Sequence, residues 1–219
     1  HNVIIVNNPV VNEHEDNRRF LKDCEEWFGQ EIILATNSKY PSCDIRDVFD
    51  RRKYISGVRG APCTMELKKG ARYEFERNNK IDWHILGFTV DEKKRSDRFM
   101  RAERENLIPI LIDEQLTKQD CFDILMKENI RLPEIYKLGF PNANCIGCVK
   151  SDSPTYWNLV RETFPEIFEE RAEQSRRIGA KLVRVKRKRM FLDELSPDTK
   201  GGKIKSWECS IFCDMEELE

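Results

Sequence analysis

The sequence predicts an α/β fold: a parallel sheet flanked by helices over residues 1–139, then a mostly helical, cysteine-bearing part over residues 140–219. Three observations carry this. Short apolar runs rich in Ile, Val, Leu and aromatics recur at residues 2–7, 31–36, 83–88 and 108–112. Between them stand segments with apolar residues at helical spacing, and the order strand, helix, strand is that of parallel crossover units. Beyond residue 139 the patterns turn mostly helical, after a Pro/Asn/Gly loop that holds two cysteines.

The elements follow in order. Residues 2–7 read as a buried strand. Glu13-His14-Glu15-Asp16 opens a helix, with acids where the helix dipole favours them. Phe20, Leu21, Cys24, Trp27 and Phe28 recur along it as a core face, and Cys24 is read as core packing. Residues 31–36 form the second strand and residues 44–53 a short helix. Cys43 just before that helix has no partner at ligand spacing. Pro62 and Cys63 begin a long helix over residues 64–78 that carries Lys68 and Lys69. The start of a helix suits a thiolate ligand or nucleophile, while a small apolar residue at a helix cap is the plainer alternative. The third strand, residues 83–88, leads into a charged helix with Arg95 and Arg98. Ligands of open α/β sheets sit beyond the carboxyl ends of strands, so both arginines stand where an anion is gripped. The same charges also suit a solvated helix face. Residues 108–112 form a fourth strand, and residues 117–129 a helix with Cys121 on its core side. Ser153-Pro154-Thr155 begins a helix with Trp157, Leu159 and Val160; Phe164-Pro165 breaks it, and a second helix follows over residues 166–178. Residues 181–189 alternate apolar and basic, which suits an exposed strand or a strip that contacts phosphates.

Composition narrows the class. The 219 residues are 39% hydrophobic and 35% charged with a formal net charge of -1, so no global field draws the chain to nucleic acid. No apolar run approaches the ~20 residues of a membrane span, and no signal peptide is visible. The 8 cysteines are therefore expected as reduced thiols or ligands of a cytoplasmic protein rather than as a disulfide framework.

The strongest chemical signal is Cys145-Ile146-Gly147-Cys148, set in the loop Phe140-Pro141-Asn142-Ala143-Asn144. Thiolates at this spacing grip one metal or one iron–sulfur unit. A second pair, Cys209 and Cys213, stands near the end, and Cys63 stands alone. These three places are expected to meet around one inorganic centre. Spacing alone leaves zinc and iron–sulfur both open. With five cysteines for four positions, one is left as a nucleophile or sulfur carrier.

Three stretches then resemble one family. They are Gly57-Val58-Arg59-Gly60-Ala61-Pro62-Cys63-Thr64 with Leu67-Lys68-Lys69, Gly87-Phe88 with Asp91-Glu92 and Arg95, and Gly139-Phe140-Pro141-Asn142 through Cys148. Together with Asn12-Glu13-His14 they are similar to the PAPS reductase-like family of the adenine nucleotide α-hydrolase (PP-loop ATP pyrophosphatase) superfamily. The bacterial and phage DndC/SspD-like proteins of DNA phosphorothioation look nearest. The resemblance implies a Rossmann-like parallel sheet that binds ATP with Mg, or an adenylyl-sulfate nucleotide. It implies a 4Fe-4S cluster, with zinc as the alternative, on Cys63, Cys145, Cys148 and Cys213. Cys209 is the expected catalytic thiol or an alternative ligand, because Glu208-Cys209-Ser210-Ile211-Phe212 is similar to the tail of sulfonucleotide reductases. Ser210 and Phe212 depart from that tail. The Ser-Gly-Gly-x-Asp-Ser phosphate loop of the family is missing from the 219 residues, and it is expected upstream of His1.

The expected function is ATP-dependent sulfur transfer with nucleic acid, DNA or tRNA, as acceptor, with a cysteine desulfurase or other sulfur donor and no membrane partner. Arg59, Lys68, Lys69, Arg95 and Arg98 are expected to hold phosphates. Two alternatives stand beside it: an adenylyl-sulfate or phosphoadenylyl-sulfate reductase, and a non-enzymatic nucleic-acid-binding module stabilised by zinc or a cluster.

Overall fold

The computed structural model describes residues 2–57, 60–202 and 204. The architecture is α/β, with helices and three separate two-stranded sheets among the described residues. β1, Ile5–Asn7, pairs in parallel with β2, Ile32–Leu34, in the register Ile5↔Ile32, Val6↔Ile33, Asn7↔Leu34. α1, Asp16–Phe28, is the crossover between them. α2, Ile45–Arg52, follows, capped by the Asp44 carboxylate, which accepts the Arg46 N–H. A π-helical stretch, Thr64–Gly70, runs into α3, Ala71–Asn78. A second parallel unit consists of β3, His84–Ile85, then α4, Lys93–Ala102, then β4, Leu107–Ile108, with His84↔Leu107 and Ile85↔Ile108 opposed.

The strand–helix alternation holds, but the strands are shorter and more open than their patterns predict. Residues 2–7 were expected buried; Val3, Ile4 and Val6 are exposed. α1 has no buried residue, and Trp27 and Phe28 of its apolar face are exposed. Sheets of two strands are too narrow to cover a helix face, so periodicity marks the face without closing it. The expected strand over residues 108–112 stops at Ile108. Pro109 has no N–H for a ladder, and the chain turns instead into α5, Ile110–Asp113. α6, Lys118–Lys127, carries a full capping box at Thr117 and Asp120 but again buries no residue. Cys24 and Cys121 are half-buried rather than core, and burial raises both thiols. Cys43 is buried, with a left-handed backbone at φ 52°.

α7, Pro154–Thr163, and α8, Pro165–Ile178, each begin on proline, which fits a first helical turn, and α8 ends on Gly179 at φ 83°. β5, Val183–Val185, and β6, Lys188–Met190, form an antiparallel hairpin. The main core lies here. It joins Val48, Phe49 and Ile55 to Trp157, Val160, Phe168, Val183 and Leu192, and so draws on both sides of residue 139. A smaller cluster of Phe88, Phe99 and Leu107 sits under the β3–β4 unit. No described helix is long and apolar enough to cross a membrane.

Candidate metal centre

The Cys145–Cys148 loop is held by the segment that follows β1. Glu13 and Cys145 form an antiparallel bridge, and the Ile146 N–H donates to the Asn12 carbonyl at 2.9 Å. The Asn17 amide donates to the Ala143 carbonyl at 3.2 Å. Asn12 is itself fixed: its side-chain oxygen accepts the Ile45 N–H at 2.9 Å, and its amide donates to Asp44 at 3.1 Å. The loop therefore lies by the carboxyl end of a parallel strand, the side on which open α/β sheets collect ligands. Gly147 turns the chain between the two cysteines at φ 69°, a conformation costly for other residues. A Cβ there would also press on Ile167 at 3.4 Å and Trp157 at 3.6 Å.

Beneath the loop, the Cys148 N–H donates to the Tyr156 hydroxyl at 2.6 Å, and Trp157 Nε1 donates to the Ser151 carbonyl at 2.8 Å. Tyr156 is buried; burial pushes its hydroxyl well above the usual range, and the nearby Cys148 and Cys145 push it the same way. Cys145 and Cys148 are buried in the main core, and the half-buried Cys63, at the start of the π-helical stretch, packs against that core. Cys63 and the 145/148 pair thus share one core, without grouping as three ligands among the described residues.

A cation completes the arrangement. Arg171 of α8 is 1% exposed. Its guanidinium donates to the Gln174 side-chain oxygen and lies over the Phe49 ring at 5.3 Å. Its Nε has no hydrogen-bond partner. Burial lowers its pKa, opposed by Glu170, Cys145, Cys63 and Asp44, so two of the three thiols act on this one buried charge. Among the described residues no three His, Cys, Asp or Glu side chains group as a metal site. Cys209 and Cys213, the other expected participants, lie outside the described residues, as does Arg59. The donor chemistry present, soft thiols beside a buried cation with an unused donor, suits an anionic thiolate-bound metal or cluster.

Three of the expected phosphate ligands pair with carboxylates. Lys68 Nζ reaches the Asn8 carbonyl at 2.7 Å and Glu13 Oε1 at 3.2 Å, beside the cysteine loop. Lys69 turns to Glu103 Oε1 at 2.5 Å. Burial acts to raise Glu103, but Lys69, Tyr73 and Arg72 outweigh it, and the carboxyl titrates below its ordinary range. Arg95 pairs with Glu92 and lies over Phe88 at 5.4 Å, while Arg98 of α4 is exposed.

The basic strip of residues 181–189 is the β5–β6 hairpin. Its turn residues Lys186 and Arg187 are both left-handed, at φ 46° and 68°. Arg184 faces Arg189 across the strands, and Lys181, Arg184, Lys186, Arg187, Lys188 and Arg189 are all exposed.

Comparison of the chain with family models, curated proteins and solved structures finds no match. Sequence reading missed Arg171, Tyr156 and the anchoring Asn17 as parts of the site. Arg171 did leave a trace: Phe168, Arg171, Ala172 and Ser175 fall on one helical stripe, and all four are buried. A charged residue on an apolar stripe is the signal.

Proposed function

We propose that the protein is an ATP-dependent sulfur-transfer enzyme with an iron–sulfur centre, acting on nucleic acid, of the PAPS reductase-like kind that its motifs resemble. The observation that carries this reading is the burial of Cys145 and Cys148 in the main core, with Cys63, remote in sequence, packed against that core and Arg171 buried with an unused Nε. In this reading these three thiols hold a 4Fe-4S cluster, with Cys213 as fourth ligand and Cys209 as catalytic sulfur carrier or alternative ligand. The cluster, when bound, supplies an iron site for sulfur.

The chain's own residues serve the nucleotide. The acceptor oxygen attacks the α-phosphorus of Mg-bound ATP and pyrophosphate leaves. Hydrosulfide, supplied as such or released from the persulfide of a cysteine desulfurase by a thiol reductant that is oxidised to its disulfide, attacks the activated atom. AMP departs with the acceptor oxygen, and the S–H proton passes to solvent. Lys68, Lys69, Arg95, Arg98 and Arg59 are the phosphate ligands. Lys68, Lys69 and Arg95 would exchange the carboxylates of Glu13, Glu103 and Glu92 for phosphate oxygens.

In the same reading β1–β2 and β3–β4 are two flanks of one Rossmann-like parallel sheet, joined through a further strand that neither pair contains. The exposed Val6, Leu34, Trp83 and Ile85 support it, because apolar strands are normally covered or paired. The hairpin supports a nucleic-acid acceptor. Arg184 and Arg189 face each other across the strands, where like charges repel, with Arg184 also paired to Asp152 at 3.2 Å. A polyanion offsets that repulsion, and a two-stranded ribbon fits the major groove of a duplex.

The test combines anaerobically prepared protein, ATP, a sulfide source and DNA or tRNA. Pyrophosphate release together with thiolated nucleic acid is the expected result. Sulfite release from an adenylyl-sulfate nucleotide without pyrophosphate would establish the reductase instead. Retention of nucleic acid with neither reaction would establish the binding module.

A further inference from the structure

We infer that Arg171 is the built-in counter-charge of the thiolate centre, buried beside Cys145 and Cys63 to balance the negative charge these residues carry once they ligate a metal or cluster. The inference rests on the proposed reading of the site and assigns Arg171 a positioning role within it.

The argument starts from cost. A buried guanidinium is stable only when an anion or a full set of acceptors replaces its water. Arg171 has neither among the described residues. It forms no ion pair, its Nε is unused, and its one side-chain acceptor, Gln174, is neutral and is itself engaged with the Arg46 carbonyl and Asp50 at 3.1 Å each. The nearby carboxylates are committed elsewhere: Asp44 pairs with Arg46 at 2.5 Å, and Glu170 pairs with Arg46 at 3.2 Å. The Phe49 face provides cation–π attraction but no net negative charge. Among the described residues, the other negative groups that act on its charge are the thiols of Cys145 and Cys63. Ligation removes thiol protons and leaves net negative charge on the centre, and a weakly hydrated, permanently charged guanidinium is the side chain suited to meet it in a dry site.

This gives stability effects of opposite sign, which a purely packing role does not produce. Arg171→Met keeps most of the volume and removes the charge. In iron-free protein the variant is expected to unfold at higher urea than wild type, because an uncompensated charge is gone. In anaerobically reconstituted protein the order reverses: the variant unfolds at lower urea and loses iron to a chelator roughly 10–100-fold faster. Its midpoint potential is also more negative, since loss of a positive neighbour disfavours the reduced, more anionic centre. Arg171→Lys, which retains the charge without the fork, is expected to keep a potential near wild type. Equal iron retention and equal potential in wild type and Met variant would overturn the inference while leaving the cluster reading intact, as would equal shifts for Lys and Met. A wild-type protein that takes up no iron removes both the reading and the inference.

Discussion

The main core and the parallel strand pairs solve the same problem differently. Around the cysteine loop, residues from opposite ends of the chain interlock: Trp157, Val160, Phe49 and Val48 are 0% exposed. The strand pairs, by contrast, leave Leu34 at 56% and Ile85 at 52% exposed, though their sequence patterns are the stronger of the two. Local pattern and burial are thus separate facts. A β-branched run makes a strand, but only a neighbouring layer makes it core.

The sharpest way to break this contrast is to remove its most buried side chain. Trp157→Ala deletes an indole that also satisfies the Ser151 carbonyl. It is expected to cost about 3–5 kcal/mol in urea unfolding; a loss under ~1 kcal/mol would mean that the core is not where the contacts place it. Gly147→Ala should come next, at about 1–2 kcal/mol for a left-handed backbone, with the contacts to Ile167 and Trp157 adding to it. If the substitution leaves stability unchanged, the loop does not hold its tight turn.

Acid should separate the two regions by charge. The β3–β4 unit is tied by Glu76, to Arg72 at 3.4 Å, His84 at 2.8 Å and Arg104, and by Glu103, to Lys69 and Arg72. Burial acts to raise both carboxyls, yet the donors win and both titrate below their ordinary range. A folded-state pKa below the unfolded value means stability that is full above about 4.3, the ordinary Glu value, and is lost as pH falls through the folded value. NMR during acid titration should therefore show residues 84–108 loosening before those of α7 and α8, and Glu103→Gln should flatten that dependence. Simultaneous loss would contradict the division. The smallest effect is expected at Leu34→Thr, within about 0.5 kcal/mol for an exposed site. A large loss there would show that the strand pair is covered in solution.

Much of this was readable beforehand, for particular reasons. Asp44 before an apolar-periodic segment, Ser153-Pro154 and Phe164-Pro165 announce helix ends through local chemistry, and the helices begin there. The cysteine loop announced itself by spacing. Strand burial was not readable, because it depends on a second layer. Nor was the burial of Arg171 and Tyr156, which depends on α7 and α8 packing against residues remote in sequence. The partners of the expected phosphate ligands were not readable either: Lys68 and Lys69 are adjacent in sequence, but successive positions on a helical turn face different ways, and they pair with Glu13 and Glu103.

The most direct measurement is iron and acid-labile sulfide counting on protein purified without oxygen, for wild type, Cys63→Ser and Cys145→Ser. The account expects iron and sulfide in equal amounts in the wild type, and loss of most of both in each variant, although the two positions stand 82 residues apart by number, from 63 to 145. Zinc in place of iron, or a Cys63→Ser protein that keeps its full iron content, would contradict it.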